Sequence, residues 1–443
     1  MPTDKAQVLV LGGGPGGYAA AFAAADLGLE VTLVDEAANP GGVCLYRGCI
    51  PSKALLHVAA LIREAERAGE WGVTFGQPRV DLDRLRAWKG QVVQKLTGGL
   101  GVLTKQRKIR YVQGRGRLRD AHTLDVRLVD GGETSIAFEY LILATGSRPL
   151  AIPALALDSP RVMDSTAALE IEDVPEDLLV VGGGYIGAEL ATVYAALGSN
   201  VTIVELTEGL LPGVDRDLVR PLQNRMKAEM KALHFQTRVV ELKESGRRVR
   251  VRLEGPGIEQ PEQEFDKVLV AVGRVPNTQD IGLENTRVVV DGRGFIQVDA
   301  ARRTAEPHIF AIGDVAGQPM LAHKASHEGR VAAQAIAGRR AAFEPRAIPA
   351  VVFTDPEIAW CGLTETEAKA QGRAVQVARF PWGASGRATT LGRNDGVTKM
   401  IVDPDTKRVL GVGIAGPGAG ELIAEGVLAV EMAALAEDVM LSI

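Results

Sequence analysis

The sequence contains very few cysteines: Cys44, Cys49 and Cys361 are the only three in 443 residues. So small a number excludes the disulfide framework of a small secreted protein. In a reducing compartment, a close pair such as Cys44 and Cys49 is more typical of catalysis or metal binding than of a structural disulfide. Zinc generally needs four ligands, and only His57 lies near the pair in sequence, so we expect no metal site.

Charge of one sign and long apolar runs are also scarce. The net charge is −5 with acids and bases interspersed, whereas nucleic-acid binders usually concentrate basic residues on one face. The most apolar stretch, residues 178–198, contains five glycines and Glu189, so a strand, a turn and a helix explain it better than a membrane span. The N-terminus shows no signal-peptide pattern. We therefore expect a cytoplasmic protein that binds neither nucleic acid nor a membrane.

Glycine, by contrast, is abundant and forms two similar turns about 170 residues apart. Residues 12–17 and 182–187 each follow an apolar strand pattern and precede an Ala-rich helix pattern. In such a turn the first glycine permits a tight bend, the second lets the backbone approach a pyrophosphate, and the third lets the helix pack closely on the strand. These glycines are Gly12, Gly14 and Gly17 in the first turn, and Gly182, Gly184 and Gly187 in the second.

An acidic residue ends the second strand of each unit, Asp35 in the first and Glu205 in the second. A carboxylate at this place accepts hydrogen bonds from adenosine ribose hydroxyls and repels a 2′-phosphate, so Glu205 favours NAD over NADP. The alternative is a solvated acid at a strand end. The complete context of strand, turn, helix, strand and acid predicts two dinucleotide-binding domains.

The close cysteine pair lies in a segment that cannot be one regular helix. Residues five apart diverge around a helix axis, so Cys44 and Cys49 are too far apart there for a disulfide. Gly48 can relax the backbone, and we expect a bent turn before a helix that runs on from Ser52. Cys49 would then lie near a helix N-terminus, which favours a thiolate, with Lys53 adding positive charge. The alternative is a pair of small buried residues, which is how we interpret Cys361.

At this point the residues resemble a known family. The pattern Gly-Gly-x-Cys-x4-Cys-x-Pro-Ser-Lys from Gly41, placed after an N-terminal glycine-rich turn, is similar to the signature of the flavoprotein disulfide reductases, class-I pyridine nucleotide-disulfide oxidoreductases. Residues 304–314 resemble the family's second flavin segment, and residues 144–146 and 271–274 its linking strand ends. Residues 320–329 resemble the version found in its dihydrolipoamide dehydrogenase branch.

The resemblance implies an α/β fold with two Rossmann-like domains, for FAD and NAD, and a C-terminal α+β dimerisation domain. A change to short β-type runs after Pro345 agrees with a separate last domain. The expected domains are an FAD-binding domain with the cysteine pair (1–148), an NAD-binding domain (149–275), a central domain completing the FAD site (276–346) and the dimerisation domain (347–443).

The implied activity is FAD-dependent oxidation of the dihydrolipoyl groups of 2-oxo acid dehydrogenase complexes to lipoamide, with reduction of NAD⁺. A substrate thiolate would attack Cys44 of a redox-active disulfide, and Cys49 would pass the electrons on. Implied partners are a second copy of the chain and the lipoyl and peripheral subunit-binding domains of a dihydrolipoyl acyltransferase. The alternatives are a mercuric or glutathione reductase-like enzyme, a soluble transhydrogenase-like enzyme, and a catalytically impaired FAD-binding subunit.

Positions that match the family's functional residues are carried over one by one, and no metal ligand is among them. The implied catalytic residues are Cys44, Cys49, Lys53 and Glu189. The implied FAD-binding residues are Gly12, Gly14, Gly17, Asp35, Glu36, Gly42, Val43, Cys44, Lys53, Gly116, Ala144, Thr145, Gly146, Asp314, Met320, Leu321, Ala322 and His323. The implied NAD-binding residues are Gly182, Gly183, Gly184, Tyr185, Ile186, Gly187, Glu189, Glu205, Val240 and Gly273.

One feature of the family has no counterpart here. The family carries a His, followed four residues later by a Glu, near its C-terminus as the thiol base, whereas the last histidine of this sequence is His327. Three interpretations stay open: the sequence covers part of a longer chain, the base comes from elsewhere, or the chemistry is altered. No base can be named from these residues.

Overall fold

The computed structural model describes residues 4–443, which divide into two compact units. Of the described residues, unit 1 contains those up to Pro51 together with Ala87–Pro149 and Arg274–Glu344. Unit 2 contains Ser52–Arg86, Leu150–Gly273 and Pro345–Ile443. Each unit is assembled from segments that are distant in sequence, and each contains one of the two glycine-rich turns.

Strands and helices both occur throughout residues 4–443. In chain order the strands are β1 Asp4–Leu11, β2 Val31–Asp35, β3 Arg110–Asp120, β4 Thr123–Leu128, β5 Glu133–Leu143, β6 Ser147–Pro149, β7 Val162–Met163, β8 Asp177–Val181, β9 Asn200–Val204, β10 Ala232–His234, β11 Arg238–Ser245, β12 Arg248–Glu254, β13 Glu262–Phe265, β14 Lys267–Val270, β15 Arg274–Pro276, β16 Ile309–Ala311, β17 Ala350–Val352, β18 Ile358–Gly362, β19 Gln376–Pro381, β20 Val397–Val402 and β21 Val409–Ala415. The α-helices are α1 Pro15–Asp26, α2 Gly42–Arg47, α3 Cys49–Arg67, α4 Leu82–Gln106, α5 Ser165–Ala168, α6 Tyr185–Leu197, α7 Arg216–Glu229, α8 Ala322–Ile336, α9 Glu365–Ala370, α10 Gly386–Thr390, α11 Ala419–Glu431 and α12 Ala436–Leu441. Short 3-10 turns lie at Ala68–Trp71, Pro153–Leu155, Leu283–Asn285, Gly313–Ala316 and Trp382–Ala384.

Unit 1 is built on a six-stranded sheet in which β1 pairs in parallel with both β2 and β5. Strands β3, β4 and β5 form an antiparallel meander, and β16 adds in parallel beside β5. Alternate residues of β1 enter two cores: Val8 and Val10 pack with the alanines of α1 and α8, and Leu9 and Leu11 with the meander. Burial on both faces explains why β1 is a continuous apolar run.

Unit 2 contains a five-stranded parallel sheet in the order β10-β9-β8-β14-β7. Helix α6 packs into the main core of this unit, where the Tyr194 hydroxyl donates to the carbonyl of Ala168 at 2.8 Å. The order of the strands brings the ends of β8 and β14 side by side. The second glycine-rich turn, which follows β8, therefore lies next to the segment after β14.

The C-terminal part of unit 2 is an antiparallel sheet in the order β17-β18-β21-β20-β19. Helix α11 packs on this sheet through Ile423 and Ala429, in the same cluster as Cys361. Burial raises the pKa of the Cys361 thiol to about 11, as expected for a packing residue rather than a reactive one. Among residues 4–443, no helix is long and apolar enough to cross a membrane.

Candidate active site

The first glycine-rich turn, residues 12–17, connects β1 to α1 and has no space for a side chain at Gly12 or Gly17, whereas a Cβ on Gly14 would lie 3.9 Å from its nearest neighbour, the Cα of Gly42. Gly12 has a φ of +104°, and a Cβ there would lie 2.3 Å from the carbonyl oxygen of Ala144. A Cβ on Gly17 would lie 1.8 Å from the oxygen of Gly12. Gly12 and Gly17 therefore cannot be replaced by a residue with a side chain, and the turn presents the N-terminus of a twelve-residue helix, which suits a phosphate.

A second backbone segment closes over this turn. The N–H of Gly41 donates to the carbonyl of Gly13 at 2.7 Å, and a Cβ on Gly42 would lie only 2.5 Å from the Cα of Gly14. Asp35 at the end of β2 accepts the Gly13 N–H at 2.6 Å and the Ala37 N–H at 2.9 Å. The structure thus brings together the glycine-rich turn 12–17, the carboxylate of Asp35 and the start of the cysteine segment at Gly41.

The second turn, residues 182–187, repeats this geometry in unit 2. A Cβ on Gly182 would lie 2.4 Å from the oxygen of Ala271, and one on Gly187 would lie 2.0 Å from the oxygen of Gly182. The buried Glu205 accepts the N–H of Gly183 at 2.6 Å and the N–H of Thr207 at 2.7 Å. In both turns the first and third glycines have no room for a side chain, and a strand-end carboxylate accepts the backbone N–H of the second residue.

The cysteine segment consists of two helices separated at one glycine. Cys44 lies in α2, which ends at Arg47, and Cys49 is the first residue of α3. A Cβ on Gly48 would lie 2.9 Å from the carbonyl oxygen of Val43, so this bend needs glycine. The predicted bend and the helix N-terminal position of Cys49 are found, but α3 begins at Cys49 rather than at Ser52, because Pro51 fits the first turn of a helix.

Both cysteines are present as thiols, with Cys44 half-buried and Cys49 exposed. Tyr18, in the first turns of α1, lies in their electrostatic field: burial raises the pKa of its hydroxyl, and the charges of Cys44 and Cys49 add to this effect. The dipole at the start of the nineteen-residue α3 favours the thiolate of Cys49. The two thiols therefore have different environments: Cys49 lies at the N-terminus of α3, and Cys44 lies outside that helix, in α2.

A charged pair lies in unit 2. The Nζ atom of Lys53 lies 3.0 Å and 2.8 Å from the two carboxylate oxygens of Glu189, which is almost fully buried on α6. Phe353 completes the arrangement, since its N–H donates to Glu189 at 3.0 Å and its ring lies 4.6 Å from Lys53 Nζ. The family resemblance implied both Lys53 and Glu189 as catalytic residues, but it did not indicate Phe353, which lies in the predicted dimerisation domain.

Several other predicted FAD residues surround the carboxyl edge of the unit 1 sheet. Thr145 exchanges hydrogen bonds with Asn277 at 2.7 Å and 2.9 Å, and Asp314 accepts a hydrogen bond from Ser147. Ser147 and Asn277 were not predicted, and only their closeness in sequence to Gly146 and Arg274 could have indicated them. Gly116 packs inward, since a Cβ there would lie 2.8 Å from side-chain atoms of Leu11 and Leu124.

The other predicted residues have these positions. Glu36 follows β2, Val43 lies in α2, and Met320, Leu321, Ala322 and His323 lie at or just before the start of α8. Tyr185 and Ile186 open α6, Val240 lies in β11, and Gly273 lies between β14 and β15. Their contacts with a cofactor stay predictions. Among residues 4–443, no group of three or more His, Cys, Asp or Glu side chains could hold a metal ion.

Comparison with known proteins agrees with this site. Residues 6–329 match the family model "Pyridine nucleotide-disulphide oxidoreductase", and residues 348–443 match its dimerisation domain. A dihydrolipoyl dehydrogenase of Vibrio cholerae is 49% identical over 99% of this chain and 92% of its own length. A dihydrolipoyl dehydrogenase of Haemophilus influenzae is also 49% identical, over 99% and 91% respectively.

Solved structures show the same relationship. LpdA from Mycobacterium tuberculosis superimposes with a TM-score of 0.91 at 27% identity, covering 99% of this chain and 96% of its own. The HOCl-induced flavoprotein disulfide reductase RclA from Escherichia coli has a TM-score of 0.87 at 28% identity, with 99% and 96% covered. These matches confirm the predicted α/β fold with a C-terminal dimerisation domain. The chain belongs to the pyridine nucleotide-disulphide oxidoreductase family.

Proposed function

We propose that this protein oxidises dihydrolipoyl groups to lipoyl groups and reduces NAD⁺, through a redox-active disulfide between Cys44 and Cys49. The observation that carries the proposal is the placement of the two thiols on either side of the Gly48 bend, with Cys49 at the start of α3. The relatives at 49% identity, which are named dihydrolipoyl dehydrogenases, support this substrate over glutathione or mercury.

The thiol chemistry follows from this arrangement. One thiolate of the dihydrolipoyl group attacks the sulfur of Cys44, so that a substrate–Cys44 bond forms while the Cys44–Cys49 bond breaks and Cys49 leaves as a thiolate. The α3 N-terminus stabilises that leaving thiolate, which makes Cys44 the sulfur to attack. The second substrate thiolate then attacks the substrate sulfur, closes the lipoyl ring and releases Cys44. The two protons leave with bases, and the two electrons stay on the dithiol.

The family is FAD- and NAD-dependent, and the two turns fit these dinucleotides. Bound FAD would supply the two-electron chemistry that connects the dithiol to NAD⁺. In unit 1, Gly12, Gly14, Gly17 and Gly42 would admit its pyrophosphate, and Asp35 and Asp314 would bind its sugar and ribityl hydroxyls. In unit 2, Gly182, Gly184 and Gly187 would hold the NAD pyrophosphate, with Glu205 excluding a 2′-phosphate.

The family resemblance implies a catalytic role for Lys53 and Glu189, and their geometry supports a charge-balanced pair. Glu189 is buried, so its charge is supported by Lys53 and by the Phe353 N–H. Because Lys53 also faces the ring of Phe353, its position is fixed from two sides. The pair would set the local charge at its own position in unit 2 without taking part in bond making.

The dimerisation domain at residues 348–443 supports a homodimer. We further propose that the physiological substrates are lipoyl domains of a dihydrolipoyl acyltransferase, and that its peripheral subunit-binding domain docks this protein into a 2-oxo acid dehydrogenase complex. A cytoplasmic location suits a chain whose three cysteines include one close, reactive pair.

The test is an anaerobic assay of NADH formation from dihydrolipoamide and NAD⁺, with NADH oxidation by an artificial dye measured in parallel. We expect both activities in the FAD-loaded protein, and no activity when reduced glutathione replaces dihydrolipoamide. Cys44→Ser should abolish dihydrolipoamide turnover and spare dye reduction, while Cys361→Ser serves as the matched control and keeps both. Dye reduction with no dihydrolipoamide turnover in the unaltered protein would contradict the proposed substrate.

A further inference from the structure

A buried charged cluster lies beneath the predicted flavin segment in unit 1. Glu328, on α8, has no solvent-exposed surface, and its carboxylate accepts the N–H of Gly313 at 2.6 Å. The same carboxylate binds Arg302 Nη1 at 2.8 Å and Lys324 Nζ at 3.1 Å. We refer to Arg302, Lys324 and Glu328 as the α8 cluster. The carboxylate of Glu328 is thus hydrogen-bonded directly to Gly313, the residue that precedes Asp314.

Lys324 holds the same backbone from the other side. Its Nζ atom donates to the carbonyl oxygen of Gly313 at 3.2 Å and to that of Gly317 at 2.8 Å. Both the N–H and the carbonyl of Gly313 are thus bound by charged side chains four residues apart on one helix. Gly313 has a φ of +72°, so the 3-10 turn Gly313–Ala316 begins from a conformation that L side chains rarely adopt. The cluster fixes that conformation.

Asp314 is oriented by a second set of contacts. Its carboxylate accepts a hydrogen bond from the buried Ser147 hydroxyl, which in turn accepts from Arg274 Nε at 2.8 Å. Burial lowers the pKa of the Lys324 ammonium, and the carboxylates of Glu328 and Asp314 act in the opposite direction. The carboxylate of Asp314 therefore influences Lys324. Two anions, Asp314 and Glu328, and three cations, Arg274, Arg302 and Lys324, lie in this region.

Helix α8 also contacts the other predicted end of the FAD site. The Ser326 hydroxyl donates to the carbonyl of Pro15 at 3.1 Å, and a Cβ on Gly329 would lie 2.6 Å from the oxygen of Gly16. One helix therefore fixes the glycine-rich turn 12–17 and the segment 313–317 relative to each other. A buried ion pair is often no more stabilising than apolar residues of the same volume, so stability alone does not account for three charged groups here.

We propose that Glu328 and Lys324 are positioning residues for FAD: they hold Asp314 in its binding geometry, and the charges that they place beneath it help to set the midpoint potential of the flavin. The proposal rests on the proposed function, in which Asp314 binds the ribityl chain. It adds two residues, neither of which is expected to touch the cofactor, and it assigns their charges opposite effects.

The test compares Glu328→Gln and Lys324→Met by titrating FAD into apo-protein and by measuring the flavin midpoint potential anaerobically. Each change removes charged hydrogen bonds that hold the segment, so FAD affinity should fall about tenfold or more in both. Reduction adds negative charge to the flavin. Loss of the Glu328 anion should therefore raise the potential, and loss of the Lys324 cation should lower it.

Glu306→Gln is the matched control, because it removes another buried carboxylate that pairs with an arginine, Arg287, at 2.7 Å and does not contact segment 313–317. It should leave FAD affinity and potential unchanged. If either main variant fails to fold, Glu328→Asp and Lys324→Arg keep the charge but change the length and shape of the side chain. FAD affinity should then fall, while the flavin midpoint potential stays near that of the unaltered protein.

Shifts of potential in the same direction for Glu328→Gln and Lys324→Met, or unchanged FAD affinity, would overturn the proposal. Its failure is distinguishable from failure of the proposed function. If Asp314→Asn alters neither FAD affinity nor potential, the ribityl assignment is wrong. If the unaltered protein binds FAD but does not oxidise dihydrolipoamide, the substrate is wrong and the α8 cluster is still tested by the binding measurements.

Discussion

Glu189 combines a charged side chain with almost complete burial in unit 2. Its side chain is 5% exposed, and it is neutralised by Lys53, whose side chain is 34% exposed. A buried carboxylate without a cationic partner is very costly, whereas a hydrogen-bonded neutral amide of the same shape costs much less. The pair is therefore asymmetric: removing the charge of Lys53 should destabilise the fold more than removing the charge of Glu189.

This asymmetry leads to a prediction. Lys53→Met should lower the midpoint of thermal unfolding, with a loss of about 1–3 kcal/mol, because Glu189 keeps only the Phe353 N–H. Glu189→Gln should lose less, since its amide oxygen can still accept that N–H. Circular dichroism melting of the two variants, with Lys53→Arg as the charge-retaining control, measures the difference. A greater loss in Glu189→Gln than in Lys53→Met would contradict this account.

At the level of elements, the C-terminal sheet of unit 2 is joined to α7 by a buried ionic network. Lys399 on β20, with a 1% exposed side chain, binds Asp215 at 2.7 Å, Asp217 at 2.9 Å and Glu365 at 2.8 Å. Burial by itself would raise the pKa of Asp215, but hydrogen bonds from Lys399, Thr366 and the Glu365 N–H together lower it. Asp215 also ties the start of α9 to the network through the Glu365 and Thr366 N–H groups.

The network predicts a specific pH dependence of stability. A carboxylate whose pKa is lowered by folding contributes stability that is complete above its ordinary value of 3.8 and is lost as pH falls through the lowered value. Lys399→Met should therefore lose about 3 kcal/mol at pH 7 and progressively less below pH 4, as the wild-type protein loses the same contribution. Melting curves from pH 7 to pH 3 measure this. A constant difference across that range would be inconsistent with an ionic role.

The two glycine-rich turns predict separable binding defects. Gly17→Ala places a Cβ 1.8 Å from the oxygen of Gly12, so FAD retention should be lost. Gly187→Ala places one 2.0 Å from the oxygen of Gly182, so the protein should keep FAD and show a KM for NAD⁺ raised at least tenfold. Flavin absorbance and NADH–dye kinetics distinguish the two. Gly90→Ala, with open space around it in α4, is the control and should alter neither; equal effects in all three variants would refute the assignment.

How far the sequence predicts these elements depends on whether the signal is local. The turns, their strand-end acids and the break at Gly48 are local, and the structure has them as predicted. The start of α3 was placed three residues too late, because the sequence does not show that Cys49 and Ile50 continue the helix ahead of Pro51. Phe353, Glu328 and Lys399 act on residues far away in sequence, so their roles became visible only when the fold brought their partners close.

At the scale of the whole molecule, the family match to a dimerisation domain predicts that the chain functions as a dimer. Helix α11 packs one face on the C-terminal sheet and leaves Leu428 63% exposed, followed by Met432 at 72%. Large apolar side chains exposed next to one another are typical of protein interfaces. The family resemblance already implied that residues 276–346 complete the FAD site, and Arg274–Glu344 lie in unit 1. The inclusion of Ser52–Arg86 in unit 2 was not predicted, because no local pattern in the sequence separates this segment from the cysteine pair before it.

The exposed apolar side chains at Leu428 and Met432 lead to a prediction about the oligomeric state. Leu428→Glu should convert dimers to monomers, since it would place a charge in an apolar interface. Light scattering after size-exclusion chromatography measures the mass directly. Glu425→Gln, on the same helix and also exposed, is the control and should stay dimeric. A dimeric Leu428→Glu protein would show that the dimer forms through another surface.

The measurement that tests the central claim most directly is alkylation mapping of the cysteines by mass spectrometry. The FAD-loaded protein should show a Cys44–Cys49 disulfide at rest. Anaerobic dihydrolipoamide without NAD⁺ should make both residues alkylatable, and addition of NAD⁺ should restore the disulfide, while Cys361 stays unlabelled throughout in the folded protein. Dihydrolipoamide that leaves the Cys44–Cys49 disulfide unchanged, or NAD⁺ that fails to restore it, would contradict the account.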